Sequence, residues 1–158
     1  MRILVLSDTH RSVKAALKIA ERHPDIQHIF FLGDVVSDIE AVKEKFPNRI
    51  YHIVSGNCDG LCRYKSYGIE TVENIRIFYC HGHRQGVKFG LEKLKETAIE
   101  NNCTLALFGH THCSLLSYDD GLYIVNPGSA SFPRDGSKPS YAIIDITKSG
   151  IMPSLMNV

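Results

Sequence analysis

The sequence predicts a layered α/β (α+β) domain with helices packed outside sheets. Two observations predict it. Short apolar runs alternate with helix-period segments through the first two thirds of the chain, and strand-like runs separated by turn signals fill the rest. A third observation sets the scale. At 158 residues the chain suits one domain, spanning 1–158, and can bury a sizeable core.

The first run, residues 3–6, is apolar and short, so it reads as a buried strand. From Ser12 onward, Val13, Ala16, Leu17 and Ala20 fall on one helical face, with Ser12 as N-cap and Pro24 marking the end. Residues 29–32 form the next strand, 38–46 a second helix stopped by Pro47, and 50–54 a third strand. Residues 72–80 read as a hairpin around Glu73-Asn74. A third helix follows, with Val87, Leu91, Leu94 and Ala98 on its buried face, and then a strand at 105–108. The runs at 115–118, 122–125, 141–146 and 151–156 are strand-like. Asp119-Asp120-Gly121 and Ser149-Gly150 supply hairpin turns between two pairs of them. The first part is therefore βαβ-like and the last part a meander.

Composition narrows the function. Eighteen basic residues nearly cancel seventeen acidic ones, so no overall field draws in nucleic acid or a membrane surface. The apolar start at residues 3–6 is too short for a signal peptide, and Asp8 follows at once. No stretch approaches the ~18 apolar residues of a membrane span. A cytoplasmic protein is expected. The five cysteines are scattered and odd in number, which suits free thiols better than a disulfide framework or a zinc site. There is neither a Walker A loop nor GxGxxG, so neither nucleoside-triphosphate nor dinucleotide binding of those kinds is supported.

The informative residues come directly after the strands. The successive strand ends lead into Ser7-Asp8-Thr9-His10, Gly33-Asp34, Ser55-Gly56-Asn57-Cys58-Asp59, His81-Gly82-His83 and Gly109-His110-Thr111-His112. In open α/β sheets, ligands bind just beyond the carboxyl ends of the strands. Each motif alone is an ordinary turn or a stray histidine. Jointly they deliver carboxylate, imidazole and amide oxygen to one rim, and His110 and His112, two apart on a strand end, are expected to face the same way. That donor set suits a pair of divalent ions about 3.5–4 Å apart, which needs a bridging carboxylate. Mn²⁺ fits such nitrogen and oxygen donors, as do Fe, Zn²⁺ and Ni²⁺.

The ordered series Asp8-x-His10, Gly33-Asp34, Gly56-Asn57, His81 and Gly109-His110-x-His112 resembles the calcineurin-like metallophosphoesterase superfamily. The short length and Asn126-Pro127-Gly128-Ser129 resemble its small bacterial and archaeal phosphodiesterase branch. The resemblance implies a four-layer sandwich of two packed mixed β-sheets flanked by helices. It implies one metal held by Asp8, His10, Asp34 and His112, and another held by Asp34, Asn57, His81 and His110, with Asp34 bridging. It further implies a metal-bridging hydroxide attacking phosphorus in line, a small phosphoester substrate, and phosphodiesterase activity. Many family members carry His after Gly-Asn, where it assists the leaving group. Here that residue is Cys58, and His83 is the nearest replacement. Arg134 and Arg11 are candidates for binding substrate phosphate. The competing reading is a protein-binding scaffold of the same fold, as the superfamily member in the retromer coat exemplifies. Every ligand position is filled here, which favours the enzyme.

Overall fold

Strand β1 (Arg2–Leu6) is buried from Ile3 to Leu6 because both of its faces are covered. Alternate side chains serve different layers, as the two-residue period of a strand requires. Ile3 and Val5 enter one core cluster, whereas Leu4 and Leu6 enter another. This is why the sequence shows a continuous apolar run there rather than an alternating one.

The computed structural model describes residues 1–158. After β1 come α1 (Val13–Arg22), β2 (His28–Phe31), α2 (Val36–Lys45), β3 (Ile50–Ile53), β4 (Tyr67–Val72), β5 (Ile75–Cys80) and α3 (Glu92–Glu100). They are followed by β6 (Leu105–Leu107), β7 (Leu115–Asp119), β8 (Leu122–Asn126), β9 (Ser140–Thr147) and β10 (Gly150–Asn157). The strands form two mixed five-stranded sheets, ordered β10-β9-β1-β2-β3 and β4-β5-β6-β8-β7. Within the first, β1, β2 and β3 run parallel and β9 antiparallel. Within the second, β5, β6 and β8 run parallel, flanked by antiparallel β4 and β7.

Three apolar clusters define four layers. The middle cluster joins the sheets, with Val5, Phe30 and Ala142 from one meeting Ile77, Leu107 and Val125 from the other. The second packs Ala16, Ile19 and Ala20 of α1 and Ile39 and Val42 of α2 onto the first sheet. The third packs Leu94 and Ala98 of α3 onto Phe78 and Ala106 of the second sheet. The expected sandwich of two packed sheets flanked by helices is therefore the observed one. No helix is long and apolar enough to cross a membrane.

Local expectations needed four corrections. The last four strands are not one meander. The hairpin β7–β8 extends the second sheet, and β9–β10 returns to the first, where β9 pairs with β1. Strand β4 starts at Tyr67, well before Val72, because Gly68, Glu70 and Thr71 break up the apolar run there. Helix α3 starts at Glu92, so Val87 and Leu91 precede it, although both pack into the same cluster as Leu94. Ser12 sits at the N-cap of α1 but makes no side-chain capping bond.

Candidate metal centre

The parallel strands β1, β2, β3, β5 and β6 end at one rim, and the chemistry-bearing loops follow them. One ligand atom from each of Asp8, His10, Asp34 and His112 lies within 4.8 Å of the others. His10 Nε2 is 3.0 Å from His112 Nε2, and His112 Nε2 is 3.2 Å from Asp8 Oδ1. A second convergence centres on His81 Nε2. It lies 3.1 Å from Asn57 Oδ1, 3.2 Å from His110 Nδ1 and 3.5 Å from Asp34 Oδ2. Asp34 Oδ2 is also 3.9 Å from His10 Nε2, so this oxygen stands between the two groups.

Hydrogen bonding tests whether the residues fit cations. His81 Nδ1 donates to the Leu32 carbonyl at 2.7 Å, and His112 Nδ1 donates to the Phe132 carbonyl at 2.6 Å. A carbonyl only accepts, so in each neutral ring Nε2 carries a lone pair. Those lone pairs face Asn57 Oδ1, Asp34 Oδ2 and Asp8 Oδ1. Asp8 Oδ1 is buried with no hydrogen-bond partner. Acceptors crowded against acceptors repel one another, and a cation between them removes the repulsion. The donor set, imidazole nitrogen with carboxylate and amide oxygen and no thiolate, suits a first-row divalent ion.

The scaffold around the ligands is dense. Asp8 Oδ2 accepts from Ser7 Oγ at 2.5 Å and from the His110 N–H at 3.0 Å. Asp34 Oδ1 accepts the Cys58 N–H at 2.9 Å. Gly56 passes so close to Asp34 that a Cβ there would lie 2.1 Å from Oδ1. Asn126 ties down the histidine loop, donating to the Gly109 carbonyl at 3.1 Å and to Thr111 Oγ1 at 3.0 Å. Ser129 Oγ donates to the Asp8 carbonyl at 2.7 Å. Five expected ligands, Asp8, His10, Asp34, His110 and His112, have positive φ between 42° and 67°. Backbone strain of this kind collects where the fold must aim side chains.

Asp59 stands in the strand-end motif after β3, but its role was not legible there. Its carboxylate accepts four backbone N–H groups: Asp34 at 3.0 Å, Val35 at 3.1 Å, Val36 at 2.8 Å and Gly56 at 2.7 Å. It thereby caps α2 and clamps the Asp34 loop to the Asn57 loop. The only signal was an acidic residue two positions after Asn57, which reads equally well as a turn.

His110 and His112 do not face the same way on an extended strand. Both lie beyond β6 in left-handed backbone, with φ of 67° and 60°, and they serve different groups. His83 sits beside the second group, its ring 5.4 Å from His81 and 6.1 Å from His110, and its buried Nδ1 has no partner. Arg134 lies on the loop that returns to the rim, its N–H donating to the His112 carbonyl at 3.3 Å. Arg11, with φ of 68°, follows His10 and is exposed.

Charge follows burial and neighbours. Burial would raise the Asp8 carboxyl, but His112, His81 and Ser7 outweigh it and hold it below its ordinary range. Burial opposes protonation of His112, yet Asp8 and the Phe132 carbonyl raise it, so without a metal ion a proton on His112 Nε2 is the cation that relieves the contact with Asp8 Oδ1. Burial, helped by His81 and Lys88, pushes His110 down to about 4. Burial, with His81 and Arg84, also lowers His83. Burial and the Asp34 carboxylate push the Cys58 thiol up to about 11, so it stays protonated at neutral pH.

Residues 1–149 match the family model of the calcineurin-like phosphoesterase superfamily domain. The chain is 31% identical to the probable metallophosphoesterase YsnB of Bacillus subtilis over 147 residues, covering 92% of this chain and 85% of that protein. It is 29% identical to the phosphodiesterase YfcE of Escherichia coli over 168 residues, covering 92% and 88%. A solved structure of a predicted phosphoesterase from Streptococcus pneumoniae superposes with a TM-score of 0.86 at 25% identity, covering 99% of this chain and 88% of that one. Vps29 of Entamoeba histolytica, solved with Zn²⁺, shares the fold with a TM-score of 0.78 at 21% identity, covering 99% and 98%. The chain belongs to the calcineurin-like phosphoesterase superfamily.

Proposed function

We propose that residues 1–158 act as one metallophosphoesterase domain that hydrolyses phosphodiesters at a binuclear metal centre. The observation that carries this reading is Asp34 Oδ2, which stands 3.9 Å from His10 Nε2 and 3.5 Å from His81 Nε2. Asp8, His10, Asp34 and His112 would hold one ion, and Asp34, Asn57, His81 and His110 the other. Bound divalent ions supply an activated water and positive charge opposite the phosphoryl oxygens. Mn²⁺ is the favoured metal for these donors, with Fe, Zn²⁺ and Ni²⁺ as alternatives, and a cytoplasmic setting suits the free thiols.

The chain's own residues do the rest. Ser7, Asn126 and Asp59 fix the ligand-bearing backbone, so the donors need little reorganisation. His110 is neutral at physiological pH and offers its lone pair without first losing a proton. His83 faces the same centre. Its lowered basicity keeps it neutral, so it donates one N–H hydrogen bond to the departing oxygen rather than a spare proton. Cys58 contributes a backbone N–H to Asp34 and no leaving-group chemistry. Arg134 and Arg11, both exposed at the rim, bind the substrate's charged oxygens.

The Vps29 likeness concerns fold alone and gives no ground for a scaffold in place of an enzyme. The deciding experiment is a panel of mono- and diester substrates with metal-reconstituted protein. Diester hydrolysis that stops with chelator supports the proposal, and inactivity on every ester with metal bound contradicts it.

A further inference from the structure

The segment between β3 and β4 has two working sides. Ser55 closes it, with its N–H donating to the Lys65 carbonyl at 2.9 Å and its Oγ to the Tyr64 carbonyl at 3.2 Å. Asn57 and Asp59, within it, serve the metal centre. Residues 60–66 instead line a cavity of about 870 Å³ where the edge strands β3 and β4 of the two sheets meet. The cavity adjoins the metal centre. Ser55 is in its wall and lies two residues from Asn57, a Cα separation of at most ~7 Å. Arg84 is also in its wall and directly follows His83.

The lining has a definite chemistry. Arg63, Lys65 and Arg84 contribute three cations, and no acidic residue lines the cavity. Arg63 is held by Glu40 at 2.6 Å. Lys65 and Arg84 take part in none of the protein's ion pairs. Tyr67 is 51% exposed, whereas the ring of Tyr79 on β5 is buried edge-on against Phe30 and His52 and only its outer end reaches the cavity wall. Tyr79 lies across Gly68 of the neighbouring strand, where a Cβ would stand 2.4 Å from its hydroxyl oxygen. Gly68 therefore keeps the path of the phenol open. Tyr51, Tyr64 and Tyr141 use their hydroxyls in hydrogen bonds within the protein, and Tyr79 does not.

We propose that this cavity is the subsite for the non-scissile end of the substrate. That end is an aromatic group carrying a second negative charge, the combination a nucleotide moiety offers. The inference rests on the phosphodiesterase reading, because a simple monoester has nothing to place there. Tyr67 offers exposed ring surface for stacking, the Tyr79 hydroxyl offers a hydrogen bond, and Lys65 and Arg84 offer unclaimed charge for the second anion. The volume lies within the ~300–1,000 Å³ of sites that enclose ligands of this size.

Two measurements on the full chain separate the claims. The first is calorimetric binding of thymidine 3′-phosphate, thymidine and inorganic phosphate, with and without Mn²⁺. Thymidine 3′-phosphate should bind at least about tenfold more tightly than either fragment, and Arg84→Ala and Lys65→Ala should each erase most of that advantage. No advantage, or one that both variants retain, overturns the subsite. The second is kcat/KM for the p-nitrophenyl ester of thymidine 3′,5′-bisphosphate relative to methyl p-nitrophenyl phosphate. The ratio should be about ten or more and should fall in both variants. A ratio near one also overturns the subsite. If neither ester is cleaved by metal-loaded protein, the phosphodiesterase reading fails, and the binding result still decides the cavity.

Discussion

The Asp59 carboxylate accepts the backbone N–H of Asp34 at 3.0 Å. A residue that is not itself aimed at a metal thus sets the loop of the one that stands between both groups. Removing it would orphan four N–H donors at Asp34, Val35, Val36 and Gly56. Asp59→Ala should cost about 2–4 kcal/mol of stability and weaken metal binding, with Asp59→Asn in between. Urea unfolding and Mn²⁺ titration read the two effects. Stability within ~0.5 kcal/mol of wild type would show that water replaces the carboxylate at no cost.

Asp34→Ala should damage activity more than Asn57→Ala. Asp34 Oδ2 approaches both His10 and His81, whereas Asn57 Oδ1 contacts only His81 at 3.1 Å. Steady-state rates at saturating metal make the comparison. Equal losses would remove the bridging role from Asp34.

Much of this was legible because strands end in a regular way. Continuous apolar runs at β1 and β6 marked strands covered on both faces, and the residues after them fell at the rim as expected. Hairpin chemistry was also readable: Asp120 and Gly121 take φ of 45° and 85°, which joins β7 to β8. Sheet membership was not readable, because nothing in a hairpin's own sequence says which sheet it joins. Left-handed backbone at His110 and His112 was hidden too. It arises from long-range ties such as Asn126 to Gly109, not from local preference. The expected donors therefore come together in space, while the expectation that both histidines share a face was wrong. The role of Asp59 lay in backbone contacts, which side-chain patterns do not encode.

Away from the rim, His52 should make the protein sensitive to acid. It is buried, stacked on Phe30, and held down to about 4 by burial despite the Glu70 carboxylate 3.6 Å away. A depressed histidine favours the neutral folded form. The unfolded chain takes the proton first, so stability falls as pH drops below the ordinary value near 6.5 and levels off near the folded value. Between pH 6.5 and 5 this one group should cost about 2 kcal/mol. Urea unfolding of metal-free wild type and His52→Asn at both pH values tests it. An identical pH dependence in the two proteins would clear His52 of the effect.

Leaving-group chemistry should separate Cys58 from His83. With Cys58 held protonated, reactivity should favour acidic leaving groups such as nitrophenolate. Cys58→His should recover part of the ~10²–10⁴-fold that a positioned acid supplies on poor leaving groups, and His83→Ala should steepen the dependence. The reading is kcat/KM against leaving-group pKa. A shallow slope shared by wild type and both variants would leave neither residue a part in the departure step.

The central claim is a binuclear centre organised by Asp34. Its most direct measurement is a crystal structure of Mn²⁺-loaded protein with anomalous diffraction, paired with elemental analysis of the same sample. The account predicts two ions per chain about 3.5–4 Å apart. One should lie among Asp8, His10 and His112, the other among Asn57, His81 and His110, with an Asp34 oxygen touching both. A single ion at full loading, or two ions with Asp34 bound to only one, would contradict it.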